Sequence, residues 1–213
     1  MSTPRRWPIP ASQDPFVNTP LVRVGTDASG TEWFWISTWN AASATTGLLV
    51  SAEGDHRRFS FEAPHWGFYS AVAEDVDTLW LCGDLSRVVR LDLRTGRYET
   101  FATGAPAALV FAGMAFDPQT GKLFAAAFPD PDRVAFSFDT RTRRTVRLYR
   151  NVVAELYQTA SVRRPDGTVS HLVYNPDIAV LHWDPREETL TPALIGERLL
   201  GLELPYSNGQ SGI

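Results

Sequence analysis

Four times along this chain, at a nearly constant interval, a polar turn separates two short runs of β-branched and aromatic residues. The turns read Asp27-Ala28-Ser29-Gly30, Glu74-Asp75-Val76-Asp77, Asp117-Pro118-Gln119-Thr120-Gly121 and Pro165-Asp166-Gly167. Their last residues lie 47, 44 and 46 positions apart. A second marker keeps the same time. Asp92, Asp139 and Asp184 each close a later run before a polar turn, 47 and 45 positions apart, where an aspartate side chain can accept from turn amides.

A strand-rich unit repeating every 40 to 50 residues, with four short strands per unit, is the signature of a β-propeller blade. The second copy predicts strands over 68–73, 78–82, 87–92 and 97–101. The third predicts them over 109–116, 122–128, 133–139 and 145–149, and the fourth over 157–162, 168–174, 179–184 and 189–193. The first copy is looser, with runs at 21–25, 32–38, 47–51 and 57–61. Short runs rich in Val, Leu, Phe and Trp and bounded by Gly, Asp and Pro are what strands require.

The expected organisation is an extended N-terminal arm over 1–20 and four blades at about 21–63, 64–104, 105–152 and 153–195. Residues 196–213 then begin a further blade or form a closing tail. Four blades sit at the low end for a closed ring. The alternatives are a four-bladed ring, a half ring completed by a second copy, or the front part of a longer propeller.

Composition narrows the partners. At 213 residues with 44% hydrophobic and 21% charged, the chain has the balance of an ordinary soluble domain. A net charge of −4 gives no global electrostatic footprint for nucleic acid or an anionic membrane. Lys122 is the only lysine. The N-terminal residues lack an apolar run of signal-peptide length, and Cys82 stands alone, so no internal disulfide framework forms and a cytoplasmic address is expected. Nucleophile elbows, phosphate-binding glycine loops and paired Cys-x-x-Cys motifs are missing from the sequence.

In a propeller, one end of the central channel is lined by two loop sets: those joining the second and third strands, and those leading into the next innermost strand. These sets bring His65, Trp66 and Tyr69, Trp39 with Asn40, Asp84 through Arg87, Asp130 through Arg133, Tyr157, and Tyr174 through Asp177 to one rim. Two chemistries suit that inventory. β-Elimination on a uronic-acid sugar needs a base for the α-proton, a cation for the carboxylate-derived enolate and an acid for the leaving oxygen. His65 fits the first role, Arg87 or Arg133 the second, and Tyr69 or Tyr157 the third. Trp39, Trp66 and Tyr174 would contact the sugar. No cofactor is needed. Alternatively, Asp84, Asp130 and Asp177 with Asn40 would hold a divalent cation such as calcium or zinc by oxygen ligation and polarise a lactone.

The competing structural readings are specific. Asp and Asn before Gly or Pro are ordinary turn formers. His171 and His182 fall within predicted strands and read as packing or solvent-facing residues. Trp33, Trp35, Trp80 and Trp183 alternate within strands and read as core between blades, as does Cys82. A non-catalytic module presenting its loops to a protein or glycan is the second functional reading.

The stretches Asp77-Thr78-Leu79-Trp80-Leu81-Cys82-Gly83 and Val89 to Phe101 resemble blades of the streptogramin-lyase and gluconolactonase-like propellers. In that group a turn followed by Leu-Trp and small residues precedes an Asp-x-x-Thr-Gly hairpin. The resemblance covers about residues 67–185. It implies a propeller whose relatives include carbon–oxygen lyases, metal-dependent lactonases and purely binding domains. Its motifs specify the blade and not the reaction.

Overall fold

The computed structural model of the chain describes residues 21–37, 46–61, 67–83, 86–106, 110–128, 134–150, 157–174 and 178–194. They form sixteen strands in four antiparallel sheets of four, each ordered by chain sequence from its first strand to its last. The first sheet holds β1 (Val22–Thr26), β2 (Glu32–Ser37), β3 (Thr46–Ser51) and β4 (His56–Ser60). The second holds β5 (Phe68–Ala73), β6 (Thr78–Gly83), β7 (Arg87–Asp92) and β8 (Tyr98–Ala102). In the third are β9 (Val110–Asp117), β10 (Lys122–Phe128), β11 (Ala135–Asp139) and β12 (Arg144–Tyr149). The fourth has β13 (Tyr157–Arg163), β14 (Val169–Tyr174), β15 (Ile178–Asp184) and β16 (Thr189–Leu194). These are the four expected blades, with strand ends within two residues of the sequence reading.

The sheets stack face against face, and three apolar cores fill the seams. Alternation along β6 shows how one strand serves two seams. Leu79 and Leu81 face the first blade, where they pack with Trp35, Leu49 and Phe59. Trp80 and Cys82 face the third blade and meet Leu123, Phe136 and Phe138. Every residue of β6 is therefore buried, which is why its sequence runs apolar without a polar face. Burial alone pushes the Cys82 thiol upward, as expected of a small core hydrophobe. The third seam joins Phe124, Ala126 and Tyr149 to Leu181 and Trp183.

Two glycines are required by geometry. A Cβ on Gly47 would stand 2.0 Å from the Trp35 indole, so the ring fills the space that a side chain would take. Gly113 sits at φ 77°, a left-handed backbone that other residues adopt at a penalty of about 1–2 kcal/mol.

Gly113 marks a feature that the sequence alone did not expose. Each innermost strand carries a one-residue bulge against its neighbour: at Val24, where the register skips from Arg23 to Gly25; at Tyr69, between Phe68 and Ser70; at Gly113, between Ala112 and Met114; and at Thr159, between Gln158 and Ala160. A bulge adds local twist and re-aims the side chain it carries. Neighbouring innermost strands pack on one another, and the Met114 amide donates to Ser70 Oγ at 2.6 Å across the second seam.

Candidate functional site

The four-stranded meander divides each blade into two ends. The hairpins joining first to second and third to fourth strands share one end. Connections between second and third strands, and from one blade to the next, share the other. Every internal segment outside the described residues is one of the latter connections. His65, Trp66, Trp39, Arg133, Asp84, Asp130 and Asp177, with Asn40, therefore lie outside the described residues. Tyr69, Arg87, Tyr157 and Tyr174 are strand residues at that same loop end; for Tyr157 and Tyr174 only the backbone is described.

Tyr69, half-buried, is the bulged residue of β5. Two strands outward in the same blade, Arg87 opens β7, which at the usual strand spacing puts their backbones about 10 Å apart. Arg87 is held by what precedes it. Ser86 is buried, has φ 52°, and its hydroxyl donates to the Pro106 carbonyl. The Ser86 carbonyl accepts from Thr103 Oγ1 at 2.8 Å and from the Thr103 amide at 3.1 Å. A non-glycine residue in this backbone region persists only where its surroundings over-determine it, and such residues cluster at functional positions. In the fourth blade, Tyr157 and Tyr174 are direct cross-strand partners at the ends of β13 and β14. Each is a separate candidate by sequence, and their pairing follows from the register.

The opposite end uses its polar residues for structure. Asp92 accepts from the amides of Arg94 and Thr95 at 2.8 and 2.9 Å, and these bonds hold its carboxyl below the usual range. Asp139 accepts from the amides of Arg141 and Thr142, and Asp184 from that of Arg186. The periodic aspartates are turn caps, as their spacing suggested. Trp33 and Trp80 each donate an indole N–H to the acid six residues upstream, Asp27 and Glu74, at 2.8 and 2.7 Å. Trp33 is half-buried against the core of the first seam, whereas Trp35, Trp80 and Trp183 are fully buried.

Two charged contacts that sequence spacing could not reveal tie the third blade to the fourth. Asp117 accepts from Arg163 Nε at 2.9 Å and from the Thr120 amide and hydroxyl at 2.9 and 2.7 Å. Burial raises its pKa, but the combined hydrogen bonds outweigh that and the net shift is downward. Lys122 Nζ stands 2.6 Å from Glu188 Oε1 and donates to the Pro185 carbonyl at 2.6 Å. The Glu188 carboxylate also accepts from the hydroxyls of Ser137 and Tyr149. His171 fills the same seam, with its ring 4.5 Å from Phe124 and its Nδ1 2.8 Å from Ser161 Oγ. Burial drives its pKa down to about 3, so it is a neutral packing residue. His182 contacts Ser170 Oγ at 3.0 Å on the other face. Among the described residues no three His, Cys, Asp or Glu side chains gather as a metal site.

No family model matches the chain, and no curated protein does. Solved structures do. Hydrazine synthase of Kuenenia stuttgartiensis superposes with a TM-score of 0.67 at 15% identity, over 87% of this chain and 51% of that one. Virginiamycin B lyase from Staphylococcus aureus gives 0.63 at 12% identity, over 84% and 56%. The Dos1 propeller gives 0.59 at 13% identity, over 77% and 45%. The chain is all-β and its four sheets are β-propeller blades. It spans about half the length of these solved chains.

Proposed function

We propose that the chain is a propeller lyase that breaks a carbon–oxygen bond by β-elimination in a uronate-containing carbohydrate or a similar anionic substrate. The observation that carries this reading is the loop end of the second blade. There a bulge re-aims Tyr69 on the innermost strand, and the strained Ser86 turn fixes the start of Arg87's strand. Bulges recur beside active sites because they redirect one side chain without disturbing the sheet.

In this reading His65 takes the proton α to the substrate carboxylate. Arg87 or Arg133 holds the carboxylate as charge moves onto it, which favours the enolate over the ground state. Tyr69 or Tyr157 returns a proton to the departing oxygen as the carbon–oxygen bond breaks and the double bond forms. Trp39, Trp66 and Tyr174 supply faces on which sugar rings stack. A lyase among the structural neighbours is in keeping with this assignment, although the likeness carries the fold alone.

The test is the ultraviolet absorbance of the unsaturated uronate formed from polygalacturonate, alginate or hyaluronate. The wild-type chain is expected to generate it from one of them. His65→Ala and Tyr157→Phe should each lower kcat by roughly 100-fold or more, and Arg87→Ala should lower kcat and kcat/KM together. Full activity in both His65→Ala and Tyr157→Phe would end the proposal.

A further inference from the structure

We propose that the outer edge of the third blade, over residues 139–150, is a docking surface for an acidic segment of a partner protein. This goes beyond the elimination chemistry and does not depend on it. Within these twelve residues stand Arg141, Arg143, Arg144, Arg147 and Arg150, all exposed, against the single acid Asp139, in a chain whose net charge is −4.

Asp139 does not neutralise them. Its Oδ1 accepts from two turn amides. Arg143 pairs with Glu99 at 3.0 Å, and Arg147 donates to the Glu188 carbonyl at 2.8 Å while lying over the Tyr149 ring. The guanidinium groups of Arg141, Arg144 and Arg150 have no ion pair or side-chain hydrogen bond among the described residues. Comparable turns elsewhere are balanced. In the second blade Asp92 and Asp77 stand near Arg94, and in the fourth Glu187 and Glu188 follow Arg186. The charge excess is specific to one blade.

Edge strands often carry charge merely to deter sheet-to-sheet pairing. Here the edge is already interrupted, because Phe138 pairs with Thr145 and Ser137 with Arg147, leaving Val146 as a bulge. The bulge also aligns the cations. With one residue skipped, Arg144 and Arg147 fall on the same face of β12, opposite Asp139 and Ser137. Val146, at 46% exposure, supplies an apolar contact between them. Arginine forks match carboxylates two bonds at a time, and a bulged edge favours side-chain recognition over strand addition. An acidic protein segment carrying one apolar residue answers all of these features, whereas a sugar polymer or nucleic acid makes no use of Val146.

Fluorescence anisotropy with a labelled decaglutamate peptide containing one central leucine tests the proposal. The wild-type chain should bind it, with affinity falling about tenfold or more from low to high salt. Arg144→Glu/Arg147→Glu/Arg150→Glu should weaken binding at least about tenfold, and Arg94→Glu/Arg97→Glu on the second blade should not. If the triple variant fails to melt cooperatively, Arg144→Gln/Arg150→Gln replaces it, since both side chains are exposed and make no ion pair among the described residues. The proposal falls if the peptide does not bind. It also falls if the two patches matter equally, or if heparin or duplex DNA is bound in preference to the peptide.

Discussion

The two ends of the blades use the same residue types for different work. At the hairpin end, acids are consumed by the backbone. Asp27, Asp92, Asp117, Asp139, Asp166 and Asp184 accept turn or side-chain N–H and O–H groups within their own hairpins, and Asp27 is held down at a pKa of about 2 chiefly by Ser29 and Trp33. At the loop end no described strand terminus carries an acid. Tyr69, Arg87, Tyr157 and Tyr174 stand there instead, beside the Ser86–Thr103 clamp. An aspartate that repeats with the blade at its hairpin end is therefore a fold residue, whereas the tyrosines and the arginine at the loop-end strand termini do not repeat with it. Asp84, Asp130 and Asp177 also recur with the blade, 46 and 47 positions apart, but in the connections between second and third strands, and they lie outside the described residues.

Breaking the hairpin end should unfold the protein and leave the chemistry of surviving molecules alone. The largest effect is expected from Trp80→Ala, which leaves a cavity in the second seam and removes one of Glu74's donors. A loss of about 3–5 kcal/mol in urea unfolding is predicted. Asp117→Ala comes next, at about 2–3 kcal/mol. The acid side is buried, but Arg163 is 36% exposed and water takes up part of its charge.

Acidification sharpens the comparison. His171 has a folded pKa below its ordinary value of 6.5, so the unfolded chain binds the proton first. Stability should fall by about 1.4 kcal/mol per pH unit as pH drops below 6.5, flattening only near a pH of about 3. His171→Asn should remove that slope between pH 6.5 and 5. The depressed aspartates act lower: their contribution is present above the ordinary carboxylate range and is lost as pH falls through their folded values. An unchanged slope in His171→Asn would return the acid sensitivity to the carboxylates. The smallest stability effect belongs to Tyr69→Phe, expected at about 1 kcal/mol while turnover drops; a large destabilisation would make Tyr69 a packing residue.

Strand positions were legible because burial on both faces leaves strong local marks. The runs 68–73 and 87–92 coincide with β5 and β7, and the Asp-x-x-Thr-Gly hairpin announces its own cap. What stayed hidden depends on register or on distance along the chain. Nothing local to Tyr69 or Val146 distinguishes a bulged residue from its neighbours. The ion pair of Lys122 with Glu188 joins residues whose meeting requires the third and fourth blades to stack. Tyr157 and Tyr174 border different loops in the sequence, and their direct pairing follows from the β13–β14 register.

The division of labour between the two ends can be read residue by residue from amide hydrogen exchange with and without a saturating uronate oligosaccharide. The account predicts added protection at Tyr69, Arg87, Tyr157 and Tyr174 and none at the Asp92, Asp139 and Asp184 turns. Protection at those turns, with the loop-end strand termini unchanged, would contradict it.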